Sequence, residues 1–297
     1  MTDFTEITSE LRFPEGPIAM SDGSVIVVEI ARGTLSRVSA DGEISVVCDM
    51  GGGPNGAAMG PDGHIYVCNN GGFQWTESST GRLFPGNQAA DYTSGRIERV
   101  NIETGTFETV YTACDGEPLK GPNDLVFDRE GGFWFTDHGK NRPRDRDRTG
   151  VFYAKADGSH IEEVIFPLEA PNGIGLSPDE ATLYVAETPT GRLWAFDIDA
   201  PGKLRGTGRG HGGRMLAQIP DHHFFDSLAV DAEGNVCVAT IITGGITVHS
   251  PDGKDVSLIP LPDPLTTNIC FGGDDLRTAY ATLSTTGRLV SFPWHCP

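Results

Sequence analysis

One strand-turn-strand unit recurs along the chain, and that repetition limits the fold more than any other feature. "FPEGPIAMSDGSVIVVEI" begins at Phe13, "GPNGAAMGPDGHIYVCNN" at Gly53 and "GPNDLVFDREGGFWFTDH" at Gly121. "APNGIGLSPDEATLYVAET" follows from Ala170, "FFDSLAVDAEGNVCVAT" from Phe224 and "TTNICFGGDDLRTAYAT" from Thr266. Each copy has a polar residue, a short mostly apolar strand, a turn rich in Asp and Gly, and a second strand. A third β-rich stretch opening on Gly follows most copies, as in "GTLSRVSADG" from Gly33 and "GVFYAKADG" from Gly150. A fourth short strand fits after the next turn, as in "ISVVCD" from Ile44, "FETVYTA" from Phe107 and "IEEVIF" from Ile161. Six units of about forty to fifty residues, each with about four strands, predict an all-β, six-bladed β-propeller. No long amphipathic helix interrupts the pattern, which disfavours an α/β fold. We expect a single domain over residues 1–297 with four antiparallel strands per blade.

The equivalent polar position in the six copies is held by Glu15, Asn55, Asn123, Asn172, Asp226 and Asn268. In a propeller the first strand of each blade lines the central channel, so these residues start their strands around one end of the axis. Asn and Asp often precede strands simply because they hydrogen-bond to nearby backbone. For any one position that explanation suffices, and Asn55 and Asn268 are the members it fits best. For all six, with a Glu among them, a ring of side-chain oxygens is the better reading. Carboxylate and amide oxygens without His or Cys suit a hard cation. Calcium fits first, with magnesium, manganese and zinc as the other candidates, although zinc usually recruits His or Cys. The two formal negative charges of Glu15 and Asp226 match a divalent ion.

The second strand of each unit returns to the ring's face. Glu29, Asn69, Asp137 with His138, and Glu187 stand at those ends, and we expect Asp137 and His138 to contact substrate together with Asn123. Two irregular stretches, "GGFQWTESSTGRLFPGNQAADYTSG" from Gly71 and "HGKNRPRDRDRTG" from His138, are candidates to roof the site. Internal Arg–Asp pairs are the simpler explanation of the basic loop. His222 and His223 precede Asp226 and read as loop residues. "APGKLRGTGRGHGGR" from Ala200 reads as a flexible excursion of the fourth blade.

Charge excludes several classes of partner. With 41 acidic against 22 basic residues the chain carries a net charge of −19, which repels nucleic acid and anionic membranes and favours a bound cation. No stretch is apolar enough to span a bilayer. "MTDFTEITSE" lacks the basic and apolar regions of a signal peptide, so a cytoplasmic location is expected. The six cysteines form no CxxC pair and read as small buried apolar residues. No GxSxG elbow or HExxH motif is present.

"FPEGP", "GPNDLVFD", "APNGIGLSPD", "FFDSLAVDAEGN" and "TTNICFGGDDLRTAY" occur in that order, and through them the chain resembles the SMP-30/gluconolactonase family of six-bladed propellers over essentially its whole length. The resemblance implies a divalent metal, often calcium, held by Glu15, Asn172 and Asp226, with Asn123 touching the metal or the substrate. It implies a small-molecule lactone as substrate, and a monomer or homodimer. "FTDHG" looks closer to the drug-responsive and fungal lactonases than to the animal regucalcin type. "FFDS" departs from the Pro or Gly that many members carry before the Asp. The expected chemistry is metal-assisted lactone opening, with Asp226 as general base or, less simply, as nucleophile. Two other readings stay open at this point. One is an organophosphate hydrolase on the same site, and the other a non-catalytic calcium-binding propeller.

Overall fold

Strand burial follows the layering of the sheets. The second strands Val25–Glu29, Ile65–Asn69 and Gly132–Asp137 are buried at every residue, because each is covered on both faces by a neighbouring sheet. A last strand such as Val256–Pro260 alternates between exposed and half-buried positions, as a strand with one face in water does. The computed structural model describes residues 3–206, 212–219 and 223–295. Cys296 and His222 lie outside the described residues.

Six antiparallel blades result. Blade 1 contains Pro14–Ala19, Val25–Glu29, Thr34–Val38 and Ile44–Asp49. Blade 2 contains Pro54–Met59, Ile65–Asn69, Arg96–Val100 and Phe107–Tyr111, and blade 3 contains Pro122–Phe127, Gly132–Asp137, Thr149–Lys155 and Ile161–Leu168. Blade 4 contains Pro171–Leu176, Thr182–Glu187, Arg192–Ala200 and Arg214–Gln218, with Lys203–Leu204 paired to its third strand. Blade 5 contains Phe224–Val230, Val236–Ile241, Gly245–His249 and Val256–Pro260. Blade 6 takes Thr266–Gly272, Thr278–Leu283 and Arg288–Pro293 from the end of the chain and its outermost strand, Thr5–Thr8, from the beginning.

That last pairing closes the circle. It is not evident from the repeat, because Thr5–Thr8 belongs to no complete copy. Apolar clusters fill the seams between blades. Ile26, Leu35, Ile65 and Val100 join blades 1 and 2, Tyr66, Ile97, Phe133 and Phe152 join blades 2 and 3, and Val25, Val38 and Leu289 join blades 6 and 1. Cys48, Cys68, Cys114 and Cys237 are buried free thiols, and Cys270 is a half-buried one. No helix among the described residues is long and apolar enough to cross a membrane.

The stretch from Gly71 to Gly95 is more ordered than its sequence suggests. It contains a hairpin, Phe73–Glu77 paired with Leu83–Gln88, inserted between the second and third strands of blade 2. Trp75, Phe73 and Leu83 supply its apolar contacts and pack on Phe13, Ile30 and Leu265.

Candidate active site

Each innermost strand carries a break in register at the ring. The pairing skips between Glu15 and Ile18, Pro54 and Ala57, Pro122 and Leu125, Pro171 and Ile174, Phe225 and Leu228, and Thr266 and Asn268. A bulge re-aims a side chain that regular pleating would turn elsewhere. Close approach between blades accompanies it. A Cβ on Gly16 would lie 2.7 Å from the Ala57 nitrogen, one on Gly56 2.4 Å from the Asn123 oxygen, and one on Gly173 2.5 Å from the Leu228 nitrogen. No larger residue fits at these three places without moving the neighbouring strand.

A second device holds the strand entrances. Glu29, Asn69, Asp137 and Glu187 each pair with the proline one residue before the ring member: Pro14, Pro54, Pro122 and Pro171. Proline offers no N–H, so the side chain reaches past it. Glu29 accepts from the Arg12 N–H at 2.7 Å, Asn69 from Gly53 at 2.9 Å and Glu187 from Glu169 at 2.7 Å. Asp137 accepts from Lys120 and Gly121 at 2.7 Å and from Gly139 at 2.9 Å. Both oxygens of Asp137, expected from the sequence to meet substrate, are therefore engaged by backbone.

Within the ring, Asn172 Nδ2 donates to Asp226 Oδ1 at 2.6 Å and to Thr188 Oγ1 at 3.1 Å. Glu15 Oε2 accepts from Asn268 Nδ2 at 2.7 Å and from the Gly16 N–H at 2.8 Å. Asn268 thus serves Glu15, and Asn55 is buried at its own ring position. Asn123 is buried and its Oδ1 has no hydrogen-bond partner.

Burial pushes the Glu15 carboxyl up to about 7. Burial, and then the charge of Glu15, raise Asp226 well above the usual carboxylate range. Asp226 is half-buried. Asp124, the residue after Asn123, is pushed up to about 8 by burial and by Glu15. The three carboxyls repel one another, and no cationic side chain among the described residues offsets them. The described residues contain no cluster of three or more His, Cys, Asp and Glu arranged to hold a metal by themselves. The donor set is a mixture of carboxylate and amide oxygens.

His138 is half-buried beside the Pro171 carbonyl, one residue from Asn172. Burial, then Arg146 and Lys140, push it down to about 3, so it is neutral at physiological pH. Within the basic loop Arg142 takes both acids, Asp145 at 2.5 Å and Asp147 at 2.8 Å, while Arg148 reaches outside it to Glu169 at 3.8 Å. Lys140 is different. It is buried, it donates to the Gly72 carbonyl at 2.7 Å and to Asn70 Oδ1 at 3.2 Å, and it sits 4.0 Å over the Phe73 ring. Burial pushes its amine down to about 7. The Gln88 N–H donates to the Asn141 carbonyl at 2.8 Å and Arg142 reaches Gln88 Oε1 at 3.5 Å, so this loop is joined to the blade 2 insertion there as well as through Lys140. His223 contacts the Thr243 hydroxyl.

The sequence missed Asp124, Lys140 and the clamps at the second-strand ends. A signal for Asp124 was present, since an acid stands there where three other copies carry glycine.

Comparison with known proteins agrees with this architecture. The chain is 26% identical to a gluconolactonase of Zymomonas mobilis, over 91% of its own length and 76% of that protein. It is 27% identical to the diisopropyl-fluorophosphatase of Loligo vulgaris, over 98% of its length and 92% of that protein. Among solved structures, a gluconolactonase from Xanthomonas campestris superposes with a TM-score of 0.76 at 24% identity, covering 98% of this chain and 89% of that one. A calcium-binding regucalcin from Agrobacterium tumefaciens superposes with a TM-score of 0.77 at 17% identity, covering 98% and 93%. The profile of the SMP-30/Gluconolactonase/LRE-like region matches residues 13–285, and the chain belongs to that family.

Proposed function

We propose that the protein is a divalent-metal-dependent hydrolase that opens a lactone ring, with a sugar-acid lactone as substrate and calcium as the metal. One observation carries the metal: the carboxyls of Glu15 and Asp226 stand at the ring with no positive partner among the described residues, and the buried Oδ1 of Asn123 at the same ring is unpartnered. Burying unpaired like charges is costly, and a cation at the axis removes the cost. Glu15, Asn123, Asn172 and Asp226 are its holders. The gluconolactonase relatives support the choice of substrate.

A bound divalent cation supplies positive charge against which the carbonyl oxygen of the lactone is polarised. The chain's own groups do the rest. Asn172 Nδ2 fixes one oxygen of Asp226 and leaves the other to take a proton from the attacking water. Burial and Glu15 favour the protonated form of Asp226, and a cation held beside it would act in the opposite sense and favour the ionised carboxylate. His138, held neutral, gives its N–H to the Pro171 carbonyl, one residue from Asn172.

The test is to strip the metal with a chelator and measure acid release from five- and six-membered aldonolactones before and after adding calcium. Activity should disappear and return. Full turnover after verified metal removal rejects the proposal. Asp226→Asn should reduce turnover by about a hundredfold or more while still binding calcium. The 27% identity to a fluorophosphatase over nearly the whole chain supports a second reading, phosphotriester hydrolysis at the same centre. A phosphofluoridate turned over faster than any lactone would favour it.

A further inference from the structure

Blades 1 to 4 enter their innermost strands through a residue followed by proline: Phe13, Gly53, Gly121 and Ala170, each two residues before a ring member. Phe13 alone of the four has a large side chain. It is buried, and its backbone is left-handed, with a φ of 58°. An aromatic residue rarely adopts that conformation and keeps it only where its surroundings fix it. Pro14 then fixes the next φ, so the turn at Phe13 sets the direction in which the chain reaches Glu15.

The surroundings of Phe13 come from another blade. The Trp75 ring of the blade 2 insertion lies 4.9 Å from the Phe13 ring, and Leu83 belongs to the same apolar cluster. Glu77 reaches Arg12, the residue before, at 3.4 Å. The cluster also takes in Leu265, three residues before Asn268. Asn268 Nδ2 donates to Glu15 Oε2 at 2.7 Å. The hairpin therefore rests on the entry segments of both members of this hydrogen-bonded pair, although it belongs to neither of their blades. The Glu29 clamp stops short of this point, since it takes the Arg12 N–H, upstream of Phe13.

We propose that Trp75 is a positioning residue of the centre: through Phe13 it holds the entry of blade 1 in the conformation that directs Glu15 to the ring beside Asn268. This rests on the reading of the ring as a metal centre. It assigns Trp75 no contact with the cation.

The experiment has two readouts. One is amide hydrogen exchange, followed by NMR in the metal-free protein, at the Gly16 N–H that Glu15 Oε2 accepts at 2.8 Å. The other is calorimetric titration of calcium into chelator-stripped protein. Trp75→Ala should speed exchange at Gly16 by about tenfold or more and weaken calcium binding by about tenfold. The Glu169 N–H, bonded to Glu187 at the entrance of blade 4, serves as the control and should exchange as in the parent. Trp75→Phe, which keeps an aromatic ring against Phe13, should restore both readouts to within about twofold. If Trp75→Ala does not fold, Phe13→Gly, which removes the ring that Trp75 holds and still admits the left-handed backbone, is measured in the same way and the same two changes are expected. Gly16 exchange and calcium affinity within about twofold of the parent overturn the proposal and leave Trp75 as apolar packing alone. Equal acceleration at Gly16 and Glu169 overturns it too, because the loss is then one of general stability. A parent protein that binds no calcium overturns the metal centre and, with it, the role of Trp75 there, whereas unchanged Gly16 exchange in a calcium-binding parent overturns the role of Trp75 only.

Discussion

At the scale of single residues, buried polar groups divide into those with partners and those without. His249 is 1% exposed, packs edge-on against Phe225 at 5.7 Å between ring centres, and has no hydrogen bond on either ring nitrogen. Burial pushes it down from 6.5 to about 4. Above pH 6.5 it is neutral whether the chain is folded or not, and it contributes nothing to pH dependence. As the pH falls towards 4, the unfolded chain takes up a proton that the folded one refuses, so stability is lost in that window, by about 1–3 kcal/mol. Melting temperature measured from pH 8 to 4 should fall, and His249→Phe should flatten part of the slope; an unchanged slope would count against this assignment. The sequence could not show this, because "ITVHS" reads as an ordinary strand and says nothing of what faces the imidazole. The ring was legible for the opposite reason. Six equivalent positions all carried a side-chain oxygen, and coincidence explains that poorly.

At the scale of elements, the clamps hold the entrance of each innermost strand. Replacing Asp137 by alanine leaves the N–H groups of Lys120, Gly121 and Gly139 without their acceptor, and should cost about 2–4 kcal/mol in urea unfolding. Asp137→Asn, which can still accept but turns a donor towards one of those N–H groups, should cost less. Lys140→Met removes the two Lys140 bonds, to Gly72 and Asn70, that help tie the 138–149 loop to the blade 2 insertion, while keeping the buried stem and the Gln88–Asn141 bond. The hairpin at residues 73–88 should then be cut faster by protease, with the other blades unaffected. Unchanged cleavage would show that the Trp75 and Leu83 contacts, with the Gln88–Asn141 bond, hold it without Lys140. These roles escaped the sequence because a carboxyl at a strand end looks the same whether it meets solvent, substrate or backbone. Only the register opposite proline reveals its target.

At the scale of the whole molecule, closure depends on Thr5–Thr8. This strand pairs with Arg288–Pro293, and Arg288 reaches Glu6 at 3.5 Å. A variant lacking residues up to Thr8 should lose about 2–4 kcal/mol of stability, read as a lower urea midpoint. An unaltered midpoint would mean that the seam of Val25, Val38 and Leu289 suffices by itself. The six blades were legible because their units are similar in length and punctuation, whereas the closing strand was not, because its partner lies at the far end of the chain.

The clamps and the ring are different sets of side chains. The backbone entering the strands of Glu15, Asn123 and Asn172 is anchored by Glu29, Asp137 and Glu187, with Glu15 adding one bond of its own from the Gly16 N–H. Chemistry at the axis is thereby mechanically insulated from the scaffold. A ring residue can be exchanged for another of similar size with the frame left standing, so the same set of blades is free to be retuned at its axis, one position at a time.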